Sequence, residues 1–155
     1  MKIEEEIKQM RFRNPHQKAI INLIFTYNVL SSRMQDTLRS ENITMQQFNI
    51  LRILRGQYPN PATNNMVKER LLDKNSDVTR IIDRLIREGL VSRVNCEQDR
   101  RRVDITITDK GLNLLEKLDA KNDEMDALVH GLSESEAELV SDLLDKMRLG
   151  ANTLG

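Results

Sequence analysis

Amphipathic stretches alternate with short polar breaks along this chain. From Pro15 onward, Ala19, Ile20, Leu23, Ile24, Tyr27, Leu30, Met34 and Leu38 recur every three or four residues, the spacing of one helix face. Asn14 supplies an N-cap, Pro15 fits the first helical position, and Gln17 completes a box-like start. Ile21, Phe25 and Val29 add a second apolar side. A helix apolar on two sides needs cover from two directions, its own domain and a partner chain. The pattern fades over residues 40–42.

Thr44 and Gln47 form a capping box that opens a short helix with Met45, Phe48, Leu51 and Leu54 on its apolar stripe. Residues 56–61, GQYPNP, read as a loop with two prolines. Thr63 caps another short helix that runs through Leu71. Residues 73–75 make a tight polar turn, and Ser76 is the expected cap of the next helix. Val78, Ile81, Ile82, Leu85 and Ile86 face inward there, while Asp77, Thr79, Arg80, Asp83, Arg84 and Arg87 face out. Gly89 closes this helix. Two short helices joined by a tight turn are a helix-turn-helix pattern.

The periodicity then changes to two. Residues 90–94 read as a strand, and Val103, Ile105 and Ile107 alternate with Asp104, Thr106 and Thr108. Between them lies the polar, cationic segment NCEQDRRR. A hairpin with a basic tip, directly after a helix-turn-helix, makes a winged helix. Thr108 then caps a long helix marked by Leu112, Leu115, Leu118, Met125, Leu128 and Val129, which Gly131 breaks. Ser133 with Glu136 starts the last helix, striped by Val140, Leu143, Leu144 and Met147. The predicted fold is mainly α with a small β-hairpin wing. Its winged lobe covers residues 44–108 of one domain spanning 1–155, flanked by helical dimerisation regions at 14–42 and 109–149.

Composition narrows the function. The 155 residues carry 24 basic and 24 acidic side chains, so the net charge is zero, and the mean hydropathy is -0.53. Aromatics are 3%, which leaves the core to Leu, Ile, Val and Met. Charge is nevertheless uneven. Residues 1–73 hold 11 basic and 7 acidic groups, 74–103 hold 8 and 5, and 113–155 hold 4 and 10. A phosphate-binding surface therefore fits the middle of the chain. The one cysteine makes no internal disulfide, as expected of a reducing, cytoplasmic compartment. The charged N-terminus has no signal-peptide core, and no apolar run approaches a membrane span.

The stretch NSDVTRIIDRLIREGLVSRVNCEQDRRRVDITITDKG resembles the MarR family of bacterial transcription regulators. The resemblance rests on Asp83-Arg84-Leu85, Gly89-Leu90-Val91, Asp99-Arg100-Arg101 and Thr108-Asp109-Lys110-Gly111 at matching separations, with ITMQQFNIL resembling the family's first lobe helix. It extends from about Ile20 to about Met147. The pair Val67-Lys68 stands where the family often has Leu-Ala, and Asp77 puts an acid at the start of the recognition helix. The resemblance implies a homodimer on a pseudo-palindromic double-stranded DNA operator, and a repressor that a small lipophilic or phenolic effector releases. It also implies an effector pocket between the dimerisation helices and the DNA-binding lobe, drawing on Asn22, Phe25, Thr26, Met45 and Phe48. The plainer reading of those five is ordinary core.

DNA reading itself follows from the residue types. The first turns of a recognition helix meet base edges in the major groove, and Asn75, Ser76, Asp77, Thr79 and Arg80 occupy that stretch. Arg80 suits a bidentate pair with guanine, Thr79 a thymine methyl or a phosphate, and Asp77 a cytosine amine. Arg84, one turn later, suits a backbone phosphate. At the wing, Arg101 suits entry into a minor groove, with Arg100 and Arg102 on phosphate or supporting the hairpin. By resemblance Asp99 braces the wing through a nearby arginine. Capping and solvation compete with base contact for Asp77 and Thr79. A winged helix whose basic hairpin binds an acidic protein instead of DNA is the alternative reading. Cys96 beside the wing reads as an inert thiol. His16 and His130 lack metal-ligand spacing, and no nucleophile elbow or phosphate-cradling loop appears. Neither a metal, a cofactor nor an enzymatic activity is expected.

Overall fold

The computed structural model describes residues 1–152 other than Glu97, Arg100 and Arg102. Residues 1–120 form one compact unit, and a second begins at Lys121. A short helix that the sequence pattern does not announce, α1 (Ile3–Glu6), buries Ile3. Its Glu4 pairs with Lys18 of α2 (Pro15–Arg39), and that hydrogen bond holds the Glu4 carboxyl below its usual range. The Asn14 side chain caps α2 by accepting from Gln17 N at 2.8 Å, and Gln17 Oε1 accepts from Arg13 N. Asn42, with φ 56°, turns the chain out of α2, a left-handed position that asparagine tolerates.

Helix α3 (Met45–Gln57) starts on the expected box, Thr44 N donating to Gln47 Oε1 at 2.9 Å and Gln47 N to Thr44 Oγ1 at 3.2 Å. It runs two residues into the loop expected at residues 56–61, so Gly56 is helical. Tyr58 N still donates to Leu54 O, and the chain leaves the helix only at Pro59, which has no N–H to continue the ladder. Strand β1 (Ala62–Thr63) follows, then α4 (Asn64–Arg70) with Thr63 Oγ1 accepting from Met66 N.

Helix α5 (Val78–Arg87) is capped by Asp77, whose carboxylate accepts from Arg80 N at 3.1 Å. This corrects the expected Ser76 cap: Ser76 Oγ is buried without a partner. Gly89, with φ 73°, ends the helix as expected. Strands β2 (Val91–Asn95) and β3 (Val103–Ile107) form the hairpin, and β1 adds to it in the antiparallel order β1-β3-β2. The strict alternation expected in β3 breaks at its start, where Val103 is exposed and Asp104 is 6% exposed. Asp104 lies between Thr63 of β1 and Val94 of β2, so both neighbouring strands shelter it. Two of the sequence's β residues, Ser92 and Thr106, bond across the pair at 3.1 Å.

Helix α6 (Asp109–Asp119) begins at Thr108, whose hydroxyl accepts from Gly111 N and donates to Gly89 O. The core of this unit is a seam of Ile50, Leu51 and Leu54 of α3 with Val67, Ile82, Leu85, Ile105, Leu115 and Leu118, where α3 packs against α5, α6 and β3. Arg55 grips Asp119 through both Nη atoms, at 2.6 and 3.3 Å, tying α3 to the end of α6.

The second unit holds α7 (Asn122–Asp126), a 3-10 turn (Ala127–Val129) and α8 (Glu134–Asn152). The single long helix expected from Thr108 therefore ends at Ala120. Positions three and four after Leu118 are Lys121 and Asn122, so no apolar side chain anchors another turn. Ser133 and Glu136 make the expected box, and the Ser133 N–H holds the Glu136 carboxyl below its usual range. Among the described residues, no helix is long and apolar enough to cross a membrane.

Candidate nucleic-acid interface

Helix α5 presents the candidate surface because its apolar residues are spent on the core. Val78, Ile82 and Leu85 are buried, which turns Thr79, Arg80, Arg84 and Arg87 outward, all exposed. Asp77 serves the fold by satisfying an orphan helix N–H, so the acid that departs from the family pattern has a structural use. The turn before it is also built from local bonds, with Asn75 N donating to Asp73 Oδ1 at 3.0 Å and Ser76 N to Asp73 O. Asn75 is exposed there, whereas Ser76 is half-buried.

Two open grooves flank the helix. One is lined by Thr79, Arg80, Asp83, Ile86, Arg87 and Arg93 of β2. The other is lined by Asn75, Ser76, Arg80 and Arg84 together with Thr44 and Gln46 at the start of α3. Arg80 stands on the ridge between them and is reachable from either. Asp83 pairs with Arg93, which joins the recognition helix to the wing strand. Arg84 pairs with Glu88 at 3.1 Å.

The hairpin turn carries Asp99 and Arg101, both exposed, with Asp99 Oδ1 accepting from Arg101 N at 2.9 Å. This contact runs to the backbone of Arg101 and folds the turn locally, as Asx side chains do. The expected contributions of Arg100 and Arg102 lie outside the described residues. Cys96 is half-buried beside the turn.

Sequence reasoning missed Arg93 as a member of this surface, and it placed Asp83 and Arg87 on the outward face without giving them a role. Arg87 sits seven residues after Arg80, two turns along the same face, and Arg93 occupies an exposed position in β2.

The five expected effector residues differ in burial. Phe48 is core, with Arg52 over its ring at 5.7 Å. Met45 and Phe25 are half-buried, while Asn22 and Thr26 are exposed. Phe25 lines a shallow groove along α2 with Asn28, Val29 and Ser32. A larger groove of about 940 Å³, lined by Ile43, Glu88, Leu90, Lys110 and Leu114 among others, includes none of the five. Among the described residues, no group of three or more His, Cys, Asp or Glu side chains is arranged to hold a metal ion.

The winged geometry is shared with known proteins. The profile of the MarR family matches residues 43–103, the span from the α2–α3 turn into β3. The transcriptional regulator FarR of Neisseria gonorrhoeae is 30% identical over 144 residues, covering 89% of this chain and 94% of that protein. Among solved structures, the S. aureus MepR–DNA complex superposes with a TM-score of 0.73 at 27% identity, covering 90% of this chain and 99% of that one. BpsR of Bordetella bronchiseptica, whose DNA binding 6-hydroxynicotinic acid regulates, gives a TM-score of 0.71 at 26% identity over 81% of this chain and 95% of that one.

Proposed function

We propose that this chain, which belongs to the MarR family of transcriptional regulators, binds a pseudo-palindromic DNA operator as a cytoplasmic homodimer. It acts as a repressor that a small-molecule effector releases, and it has no catalytic role. The observation that carries this reading is Arg80, exposed on the ridge of α5 between grooves that reach Arg93 on the wing strand and Thr44 at the start of α3. A guanidinium so placed offers a bidentate fork to a guanine edge. The neighbouring Arg84 and Arg87 supply phosphate contacts that set register without reading sequence, and Arg101 on the hairpin turn enters a minor groove.

An effector acts only by binding the DNA-competent and incompetent arrangements unequally. The likeness to BpsR, regulated by 6-hydroxynicotinic acid, supports an effector of small aromatic character here.

The test is fluorescence anisotropy on a duplex selected from random DNA by the purified protein. Arg80→Ala is expected to cost about 1–3 kcal/mol and to relax sequence preference at one position of each half-site. Arg101→Ala is expected to weaken binding and to lower the slope of log K against log salt by about 1 if the wing guanidinium replaces a counterion. Unchanged affinity in both variants would sink this surface as the DNA interface.

A further inference from the structure

We infer that Glu88 is a positioning residue for DNA binding, holding the Arg84 guanidinium in the orientation in which it meets a backbone phosphate. The inference rests on the DNA-binding reading above and adds to it the group that aims one of its cations.

Glu88 is the residue just past the end of α5, and it is held from several directions. Its Oε1 accepts from Arg84 Nε at 3.1 Å. Its Oε2 accepts from Gln47 Nε2 at 3.2 Å. Its backbone carbonyl accepts from Lys110 Nζ of α6 at 2.8 Å. An exposed arginine–glutamate pair one helical turn apart ordinarily contributes little and samples many rotamers. The contact to Gln47 makes this pair different. Gln47 is 2% exposed, and its Oε1 is committed to Thr44 N in the α3 capping box. An amide whose oxygen faces a donor must turn its NH₂ the other way, and here that NH₂ meets Glu88. A buried, pinned amide on α3 therefore fixes a carboxylate on α5, and the carboxylate fixes the arginine.

Arg84 keeps 60% of its side chain exposed and lines the groove that also holds Arg80 and Thr44. With Nε carrying the bond to Glu88, the two Nη groups are those a phosphate oxygen would engage. Pre-orienting a long side chain removes part of the ordering cost that binding otherwise carries.

Charge and positioning predict opposite signs. Glu88 is an anion close to a surface that meets a polyanion, so electrostatics alone makes its removal strengthen DNA binding. If it positions Arg84, removal weakens binding. Glu88→Gln is the sharper substitution, because an amide of the same shape puts an NH₂ donor where one carboxylate oxygen was, facing the donor of either Arg84 or Gln47. Glu88→Asp keeps the charge but shortens the reach, and it decides the question if Glu88→Gln melts at a markedly lower temperature than the parent.

The experiment measures anisotropy on the selected duplex from low to high salt, for the parent, Arg84→Ala, Glu88→Gln, Glu88→Asp, Arg101→Ala and the double variant Arg84→Ala/Glu88→Gln. The expected result is about 3- to 10-fold weaker binding for Glu88→Gln and for Glu88→Asp, with the salt slope moving toward that of Arg84→Ala. In the Arg84→Ala background, Glu88→Gln weakens binding no further. Binding by Glu88→Gln as tight as the parent or tighter, or an equal loss with Arg84 already removed, overturns the inference. Failure of the parent itself to bind any duplex removes the DNA-binding reading and this inference together. Parent binding that Arg101→Ala weakens and Glu88→Gln does not leaves the reading standing and removes only the role of Glu88.

Discussion

Two glycines inside helices show how little residue type says without its surroundings. Gly111 lies in the first turn of α6, where an added Cβ would sit 2.5 Å from Leu90 O and 2.6 Å from Ile107 Cγ1. The first of these is backbone and cannot swing aside. The Thr-Asp-Lys-Gly block that carries the family resemblance thus has a steric reason: only glycine lets α6 start against the β2–β3 sheet. Gly56, near the end of α3, has nothing within 4 Å of the same position. The two substitutions to alanine should therefore differ in sign. Gly56→Ala should stabilise by about 0.5–1 kcal/mol through helix propensity. Gly111→Ala should lose about 1–3 kcal/mol, since overpacking outweighs that gain. Denaturant midpoints of the two variants at constant m-value are the measurement, and a stabilised Gly111→Ala would show that the close approach relaxes at little cost.

At the scale of elements, the legible parts of the fold were those encoded within a few residues. The caps at Asn14, Thr44, Thr63, Thr108 and Ser133 all bond as their spacing implies, because the N–H that a capping oxygen accepts from lies in the first turn of the same helix. The recognition-helix face was legible for the same reason, since inward Val78, Ile82 and Leu85 leave one side for the arginines. What the sequence hid depends on distant partners. Strand β1 has two residues and exists only because β3 is beside it. The burial of Asp104 follows from that same pairing, and the grouping of Arg93 with Arg80 follows from how the hairpin lies on α5. Of the residues expected at an effector pocket, Phe48 is buried while Asn22 and Thr26 on α2 are exposed, a difference that the helical spacing alone does not announce. The α3 box also has a reach that its spacing does not announce, because Gln47 bonds onward to Glu88. Thr44→Ala should cost about 1 kcal/mol of stability, as loss of an N-cap does. Amide hydrogen exchange should quicken at Gln47 and Phe48 first, and exchange unchanged there would mean that the cap is dispensable.

At the scale of the whole molecule, the single chain leaves much aliphatic surface in water. On α2, Ile20, Leu23, Ile24, Tyr27 and Val29 are exposed, with Ile24 at 56%. On α8, Leu139, Val140, Leu143 and Met147 are exposed, and no residue of that helix is buried. Scattered apolar residues on a surface are ordinary, but helical stripes of this length are interface material. A second copy of the chain is the occupant proposed above, and it has a consequence for DNA binding. Two half-sites bound by one dimer make the second contact intramolecular, which raises affinity by orders of magnitude without any new bond. Ile24→Glu and Leu143→Glu each place a carboxylate in a stripe that dimerisation would dry. An unpaired buried charge costs several kcal/mol, so each variant should raise the dimer dissociation constant on the order of 100-fold or more. Sedimentation equilibrium reads the association directly. The same variants should bind a full operator no better than a single half-site, while the parent prefers the full operator strongly. A variant that stays dimeric takes its helix out of the interface. A monomer that still prefers the full operator would mean that the two halves of the site are read without a symmetric pair.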